Sequence, residues 1–222
     1  MHTTPRIAFL HTADVHVPRF NALVHAQAPA AIVHHHVDAA LLHDARTHGI
    51  NHPDLIARVQ QAMHTTAQHG ASVVVCTCST IGGIAESMDS GSAFTAMRID
   101  RAMANAAARS GPAVLLVAAL ESTLAPTADL LHDSARQQSS TLQIDTLCVP
   151  QAWAFFEQGD TCAYLDTIAS ATRHAVSGHG AVVLAQASMD AVAPRLATLG
   201  LPVLASPALG VAAALAAATS AR

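Results

Sequence analysis

The chain has 222 residues, of which 51% are hydrophobic and 12% charged, against about 25% charged in ordinary globular proteins, so it can bury a full core and is not a disordered segment. Net charge is −4 and no basic run exists, which argues against a nucleic-acid partner. Its 11 basic residues are all arginine; without lysine it cannot form a Schiff base with pyridoxal phosphate or a carbonyl substrate, nor supply the lysine of a Walker-type phosphate loop.

From the N-terminal end, "MHTTPRIAFLHTAD" has one arginine and a four-residue apolar core. That is too short for a signal peptide or a membrane span. Four cysteines without a secretion signal lead to the expectation of reduced thiols in the cytoplasm. "RIAFLH" (6–11), "AIVHHHV" (31–37) and "ASVVVCT" (71–77) read as buried strands by length and β-branched content. Between the last two, Asp54 to His69 puts Leu55, Ile56, Val59, Ala62, Met63 and Ala67 on one helical face, with Pro53 at the start and Gly70 at the close. "SMDSGSAF" (87–94) reads as a hinge or flexible loop. In the second half, "PAVLLVAAL" (112–120), "TLQIDTLCV" (141–149), "GAVVLAQ" (180–186) and "LPVLAS" (201–206) are further strands, and "ALGVAAALAAAT" is a buried final helix.

Strands alternating with helices predict α/β architecture with parallel sheets carrying helices on both faces. "GASVVVCTCST" and "GAVVLAQASMD" echo each other, and the echo suggests two related half-domains facing one another.

The stretch "VVVCTCSTIGG" (73–83) carries the sharpest chemistry. On a strand, Cys76 and Cys78 share a face, with Cys78 at the C-terminal mouth, where open α/β sheets place ligands. The turn after it offers N–H donors that lower a thiol pKa and suit a carboxylate. Ser79 and Thr80 add hydroxyls. Cys76 reads as packing; for Cys78, burial as a small hydrophobe is the alternative to reactivity. Cys148 and Cys162 stand alone, without C-x-x-C or a second pair that would make a zinc site.

Twelve of the 15 histidines lie in the first 69 residues. His34 and His36 with Asp38, or His48 and His52, could supply two-His-plus-carboxylate pieces. No H-E-x-x-H is present and Pro53 breaks a helix through His52, so a solvated surface is the simpler reading and no metal is expected. G-x-S-x-G and G-x-G-x-x-G are also missing.

The ordered set "IAFLHTADVHVPRFNALV", "VVVCTCSTIGG", "MRIDRAMANAA", "LVAALESTLAPT", "VVLAQASMD" and "VLASPALGV" resembles the aspartate/glutamate/hydantoin racemase superfamily, in particular its uncharacterised racemase-like members. The resemblance implies two pseudo-symmetric α/β lobes, 1–97 plus 207–222 and 98–206, with the active site in the cleft between them. It also implies a homodimer and chemistry on a small carboxylate substrate without cofactor. In such proteins a Cys-Asn-Thr-like turn supplies one thiol; Cys78, Ser79 and Thr80 take its place here. A Gly-Cys-Thr turn supplies the other; here Gln186, Ala187 and Ser188 stand there instead. The resemblance further brings Thr12 and Asp14 after the first strand, and Ser122 and Thr123 after the strand at 112–120, to the substrate. Helix or turn capping is an equal reading for Asp14 and Ser122. Arg98 and Asp100 read as an ion pair at the lobe junction or as ligands.

Racemisation removes a proton from one face of a carbon and returns it to the other, and glutamine cannot exchange a proton at neutral pH. The expectation is therefore a cofactor-independent isomerase or lyase with Cys78 as its single thiol and Gln186 as an amide donor to substrate oxygens. The alternatives are a true racemase or epimerase with His11, His179 or Asp14 as second base, and a carboxylate-binding protein without turnover.

Overall fold

A computed structural model of the protein describes residues 4–91 and 93–220. Residues 1–3 and 221–222 of the expected first lobe, and Ser92 of the expected 87–94 loop, lie outside the described residues. The chain divides into two compact units, Met1–Asp100 with Pro207–Arg222, and Arg101–Ser206.

The first unit begins β1 (Arg6–His11), α1 (His16–Gln27), β2 (Ile32–Val37), α2 (Ala39–His48) and α3 (Pro53–Ala67). It continues through β3 (Val73–Cys76), α4 (Gly82–Ser87) and β4 (Thr95–Arg98). Its four strands are parallel, in the order β2-β1-β3-β4. The two central strands are the apolar ones because helices cover both their faces. Every residue of β3 is buried, whereas the edge strand β2 is half-exposed along its length. Ala8, Leu10, Val74 and Cys76 pack on one face against Leu41 of α2 and Leu55, Val59 and Met63 of α3. On the other face Phe9 meets Phe20 of α1, ring centroids 5.2 Å apart.

Helix α3 starts at Pro53, as the sequence predicts, and ends at Ala67, before Gly70 turns the chain at φ +76°. Strand β4 has no counterpart in the sequence reading: four residues with Thr95 and Arg98 at its ends make no apolar run. The 87–94 loop lies inside the first unit, pinned by Gly91 N–H on Asp89 Oδ1 (2.9 Å) and the Ser90 hydroxyl on Phe94 O (2.6 Å). It does not join the two units.

The second unit contains α5 (Arg101–Ala107), β5 (Ala113–Ala118), α6 (Glu121–Gln137), β6 (Gln143–Cys148), α7 (Pro150–Glu157) and α8 (Thr161–Ala175). Strand β7 (Ala181–Leu184), a 3-10 segment (Ala187–Leu199) and β8 (Val203–Ala205) complete it. Its strands are parallel in the order β6-β5-β7-β8, the same pattern as the first sheet. The architecture is therefore α/β, two four-stranded parallel sheets flanked by helices, as expected. Helix α9 (Ser206–Ser220) is the expected alanine-rich final helix, with Val211 and Ala214 fully buried. Among the described residues no helix is long and apolar enough to cross a membrane.

Within the first unit, helix α9 packs tightly on the chain at Gly210, where an added Cβ would stand 2.2 Å from Ile99 O and 2.4 Å from Ile99 Cδ1. Backbone cannot give way as a flexible side chain does. Gly210→Ala is expected to destabilise the protein by about 1–3 kcal/mol through overpacking, seen as a lower midpoint in urea unfolding; an unchanged midpoint would contradict this packing.

Candidate active site

Strand β3 ends at Cys76, so Cys78 stands two residues beyond it, at the C-terminal end of the first sheet. Its side chain is half-buried against the core that contains Cys76. Four donors converge on the sulfur: the hydroxyls of Thr12 and Thr80 and the backbone N–H groups of Thr80 and Ile81. Thr12 comes from the loop after β1; the others come from the turn after Cys78. Thr80 of the predicted cradle and Thr12 are thus brought to the thiol.

Burial raises the Cys78 pKa above its ordinary value, and the four hydrogen bonds only partly offset it. This corrects the expectation that the turn lowers it: desolvation of a thiolate outweighs these donors. The resting group is a neutral thiol within reach of donors that strengthen as charge forms on sulfur. Cys76 is fully buried, its thiol donating to Cys78 O at 3.7 Å, and burial pushes its pKa up strongly. It is packing, as expected.

The turn is braced from behind by a buried ion pair. Arg98 Nε and Nη2 donate to Asp100 Oδ1 and Oδ2 at 2.6 and 3.1 Å, and Nη2 also reaches Ser79 O at 3.4 Å. Gly82 makes room for it, since a Cβ there would sit 3.2 Å from Arg98 Nε. Asp14 is exposed and does not cap α1, whose first turn has no side-chain cap.

In the second unit Gln186 holds the same place relative to its own sheet. Strand β7 ends at Leu184, and Gln186 stands two residues beyond. Its Oε1 accepts from Ala119 N–H at 2.6 Å, on the loop after β5. The side chain is buried, and its amide N–H₂ remains the end able to donate to an anion. Ala187 is buried beside it, and the Ser188 hydroxyl is 2.8 Å from the hydroxyl of the buried Tyr164. Ser122 and Thr123 form the first turn of α6, a 17-residue helix without a side-chain cap. Ser122 Oγ is buried with no hydrogen-bond partner among the described residues, the condition of a hydroxyl awaiting a ligand or water.

The alternative bases fare differently. His179 precedes β7, at the opposite end of that strand from Gln186, and bonds Asp145 Oδ2 (2.9 Å) and Val176 O (3.1 Å). His11 is fully buried with both ring nitrogens engaged, by Thr77 Oγ1 (2.8 Å) and His35 Nδ1 (2.9 Å). Burial, then the neighbouring His16 and His35, lowers its pKa to about 3. His179 thus stands at the wrong end of its strand, and His11 has no free ring nitrogen. Cys148 does not stand alone: it bonds the Glu121 carboxylate, and burial first, then Glu121, pushes its pKa up to about 11. Sequence reading missed this pair, 27 positions apart, because only the adjacency of β5 and β6 joins them.

Among the described residues no group of three or more His, Cys, Asp or Glu side chains could hold a metal ion. His34 stacks on His69 at 4.6 Å, and Asp38 caps α2 through Ala40 N–H (3.0 Å), so the two-His-plus-Asp pieces that the sequence offers as an alternative are not assembled.

Compared by sequence, the chain matches no protein-family model and no curated protein. Compared by structure, it is similar to the aspartate racemase of Picrophilus torridus, with TM-score 0.69 and 14% identity, over 96% of this chain and 94% of that one. It is similar to the glutamate racemase of Francisella tularensis in complex with D-glutamate, with TM-score 0.65 and 12% identity, over 96% and 80% of the two chains. A mutant of arylmalonate decarboxylase in a sulfate-associated form matches with TM-score 0.59 and 17% identity, over 97% and 94%. The class defined by this architecture is the two-unit α/β fold of the racemases. More particularly, the fold is the one seen in these aspartate and glutamate racemases and in arylmalonate decarboxylase, in agreement with the fold that the sequence resemblance implies.

Two predictions follow from this geometry. Asp100→Ala leaves the Arg98 charge buried without its carboxylate, and is expected to cost about 3–5 kcal/mol, read from chemical unfolding; a cost near zero would mean the pair does not brace the turn. His11 and His16 have pKa values lowered to about 3 and about 4, against 6.5 for an ordinary histidine. The unfolded chain therefore takes up protons below pH 6.5 that the folded one refuses, so stability is full above 6.5 and falls as pH drops toward 4. Unfolding midpoints measured from pH 7.5 to 4.5 check this, and His16→Phe should flatten the slope.

Proposed function

We propose that the protein is a cofactor-independent enzyme of the racemase superfamily, an isomerase or lyase acting on a small carboxylic acid through the Cys78 thiol. One observation carries the reading: a half-buried neutral thiol at a sheet's C-terminal end, met by four hydrogen-bond donors from two loops. A neutral thiol is set to give a proton. In the decarboxylation of an acid with two carboxylates on one carbon, the C–C bond to one of them breaks as CO₂ leaves, the electron pair passes into an enediolate with the other, and Cys78 S–H protonates the carbon. Thr12, Thr80 and Ile81 N–H then hold the thiolate until solvent returns the proton.

Gln186, Ala187 and Ser188, with Ser122 and Thr123, serve as donors to carboxylate and enolate oxygens. The fixed Gln186 amide supports this role, since Ala119 N–H orients its Oε1 and leaves the N–H₂ end to donate. The orphan Ser122 hydroxyl at the start of α6 supports it too. Similarity in fold to racemases and to arylmalonate decarboxylase fits either outcome.

A second reading, two-sided proton transfer, is favoured by Cys148. It lies at the C-terminal end of β6 with Glu121 beside it, a protonatable pair in the unit where Gln186 cannot serve.

Cys78→Ala is expected to lower turnover on a panel of small mono- and dicarboxylic acids by about 10²–10⁴-fold; full retained turnover would refute the role of the thiol. In D₂O, label entering a single enantiomer of product supports one-sided chemistry. Label in both enantiomers, abolished by Cys148→Ala, would select the second reading.

A further inference from the structure

We infer that His11 is a positioning residue for Cys78: a directed hydrogen-bond chain from His35 through His11 to Thr77 ties together the two strand ends that carry the thiol and its Thr12 donor. The inference rests on the reading of Cys78 as the reactive group.

The direction of each bond follows from one carbonyl. Thr77 Oγ1 lies 3.1 Å from Leu10 O, which can only accept, so the single Thr77 hydroxyl proton is committed there. Thr77 Oγ1 must therefore accept from His11 Nδ1–H, 2.8 Å away. His11 Nε2 then has no proton and accepts from His35 Nδ1–H at 2.9 Å. Each ring is neutral and its tautomer is fixed by its neighbour. The lowered pKa values of His11 and His35 agree with neutral rings.

Sequence adjacency turns this chain into a clamp on the thiol. His11 immediately precedes Thr12, and Thr77 immediately precedes Cys78. Alternation along extended backbone sends His11 and Thr77 to one side while Cys76 and Cys78 meet the core on the other. One side-chain bond thus fixes the spacing of two backbone segments, and with it the bond from Thr12 to sulfur. Thr77 N–H also bonds Leu10 O at 3.0 Å, extending the β1–β3 pairing one step past the strand.

Aromatic walls enclose the chain. Phe9 stacks on His35 and His11 with ring centroids 5.5 and 5.8 Å apart, and Phe20 lies 5.3 Å from His11. In an apolar enclosure each bond is stronger and each lost bond leaves an unsatisfied group. Two engaged nitrogens leave His11 no free position from which to act on substrate, so its contribution is geometric.

The test compares Thr77→Val, which keeps shape and removes the hydroxyl, with His11→Phe and His11→Asn. The asparagine side-chain N–H stands near the place of Nδ1 and can still donate to Thr77. Readouts are the pH profile of Cys78 alkylation by iodoacetamide, located by mass spectrometry, and kcat and KM, with folding checked by circular dichroism. Thr77→Val and His11→Phe are expected to move the alkylation profile to higher pH and lower kcat about ten- to hundredfold with KM little changed, as a small misplacement of a reacting group does. His11→Asn should restore much of both.

An unchanged alkylation profile in folded Thr77→Val overturns the inference, and this variant decides the matter if His11→Phe does not fold. Equal loss in His11→Asn and His11→Phe overturns the directed chain. Because alkylation needs no substrate, the profile reports on positioning even if Cys78→Ala retains turnover, which would remove the functional reading alone.

Discussion

The balance at Cys78 between desolvation and hydrogen bonding governs what the first unit can do chemically. A thiolate in a half-buried site loses much of its hydration, which drives the group toward the neutral form. Four donors work in the other direction and lose the contest in the resting protein. They are nevertheless in place before any charge appears, so ionisation of the sulfur needs no reorganisation of its surroundings. Preorganised donors of this kind lower the barrier to a step that creates charge more than they stabilise the state before it. Everything beneath the turn keeps those donors still: the parallel pairing of β1 and β3, the Arg98–Asp100 brace and the close fit at Gly82.

Each unit solves the same local problem with different chemistry. After the first sheet's second and third ordered strands, the loop residue Thr12 donates to Cys78; after the corresponding strands of the second sheet, Ala119 N–H donates to Gln186. In both, a donor on one strand-end loop holds a polar side chain two residues past its neighbour strand. The first yields a group that can part with a proton, the second an amide that cannot. A carboxamide oriented by its own carbonyl oxygen is well made for donating to an anion, and poorly made for acid–base exchange at neutral pH. Proton traffic in the second unit would have to pass through Cys148 and Glu121.

Central strands were readable because helices on both faces leave them continuously apolar: "IAFL" in β1 and "VVV" in β3 could hardly fold otherwise. Strand β4 was not, because an edge strand ending in Arg98 makes no such run, and its arginine is there to brace a turn 19 residues away. Cys78 and Thr80 were legible as a motif; Thr12 was legible only through the family resemblance, since nothing local marks a threonine as a thiol's donor. The sign of the Cys78 shift was not legible, because it is set by how much surrounding structure excludes water. The histidines misled most. As composition they look like solvated surface, yet His11 is fully buried, and only the β1–β2 pairing that sets Phe9 opposite His35 and the β1–β3 pairing that brings Thr77 up to Leu10 reveal the chain they form.

A chain of histidines with His11 fully buried is costly in acid. What imidazole adds is length and two opposed ring nitrogens, so a single residue spans from the edge strand to the third strand across β1. Neutral rings also add no charge at the β1 and β3 strand ends. The sulfur itself stays protonated because burial disfavours the thiolate. On the proposed reading the histidines fix the thiol's position while burial preserves its proton, which is the property a one-thiol acid needs.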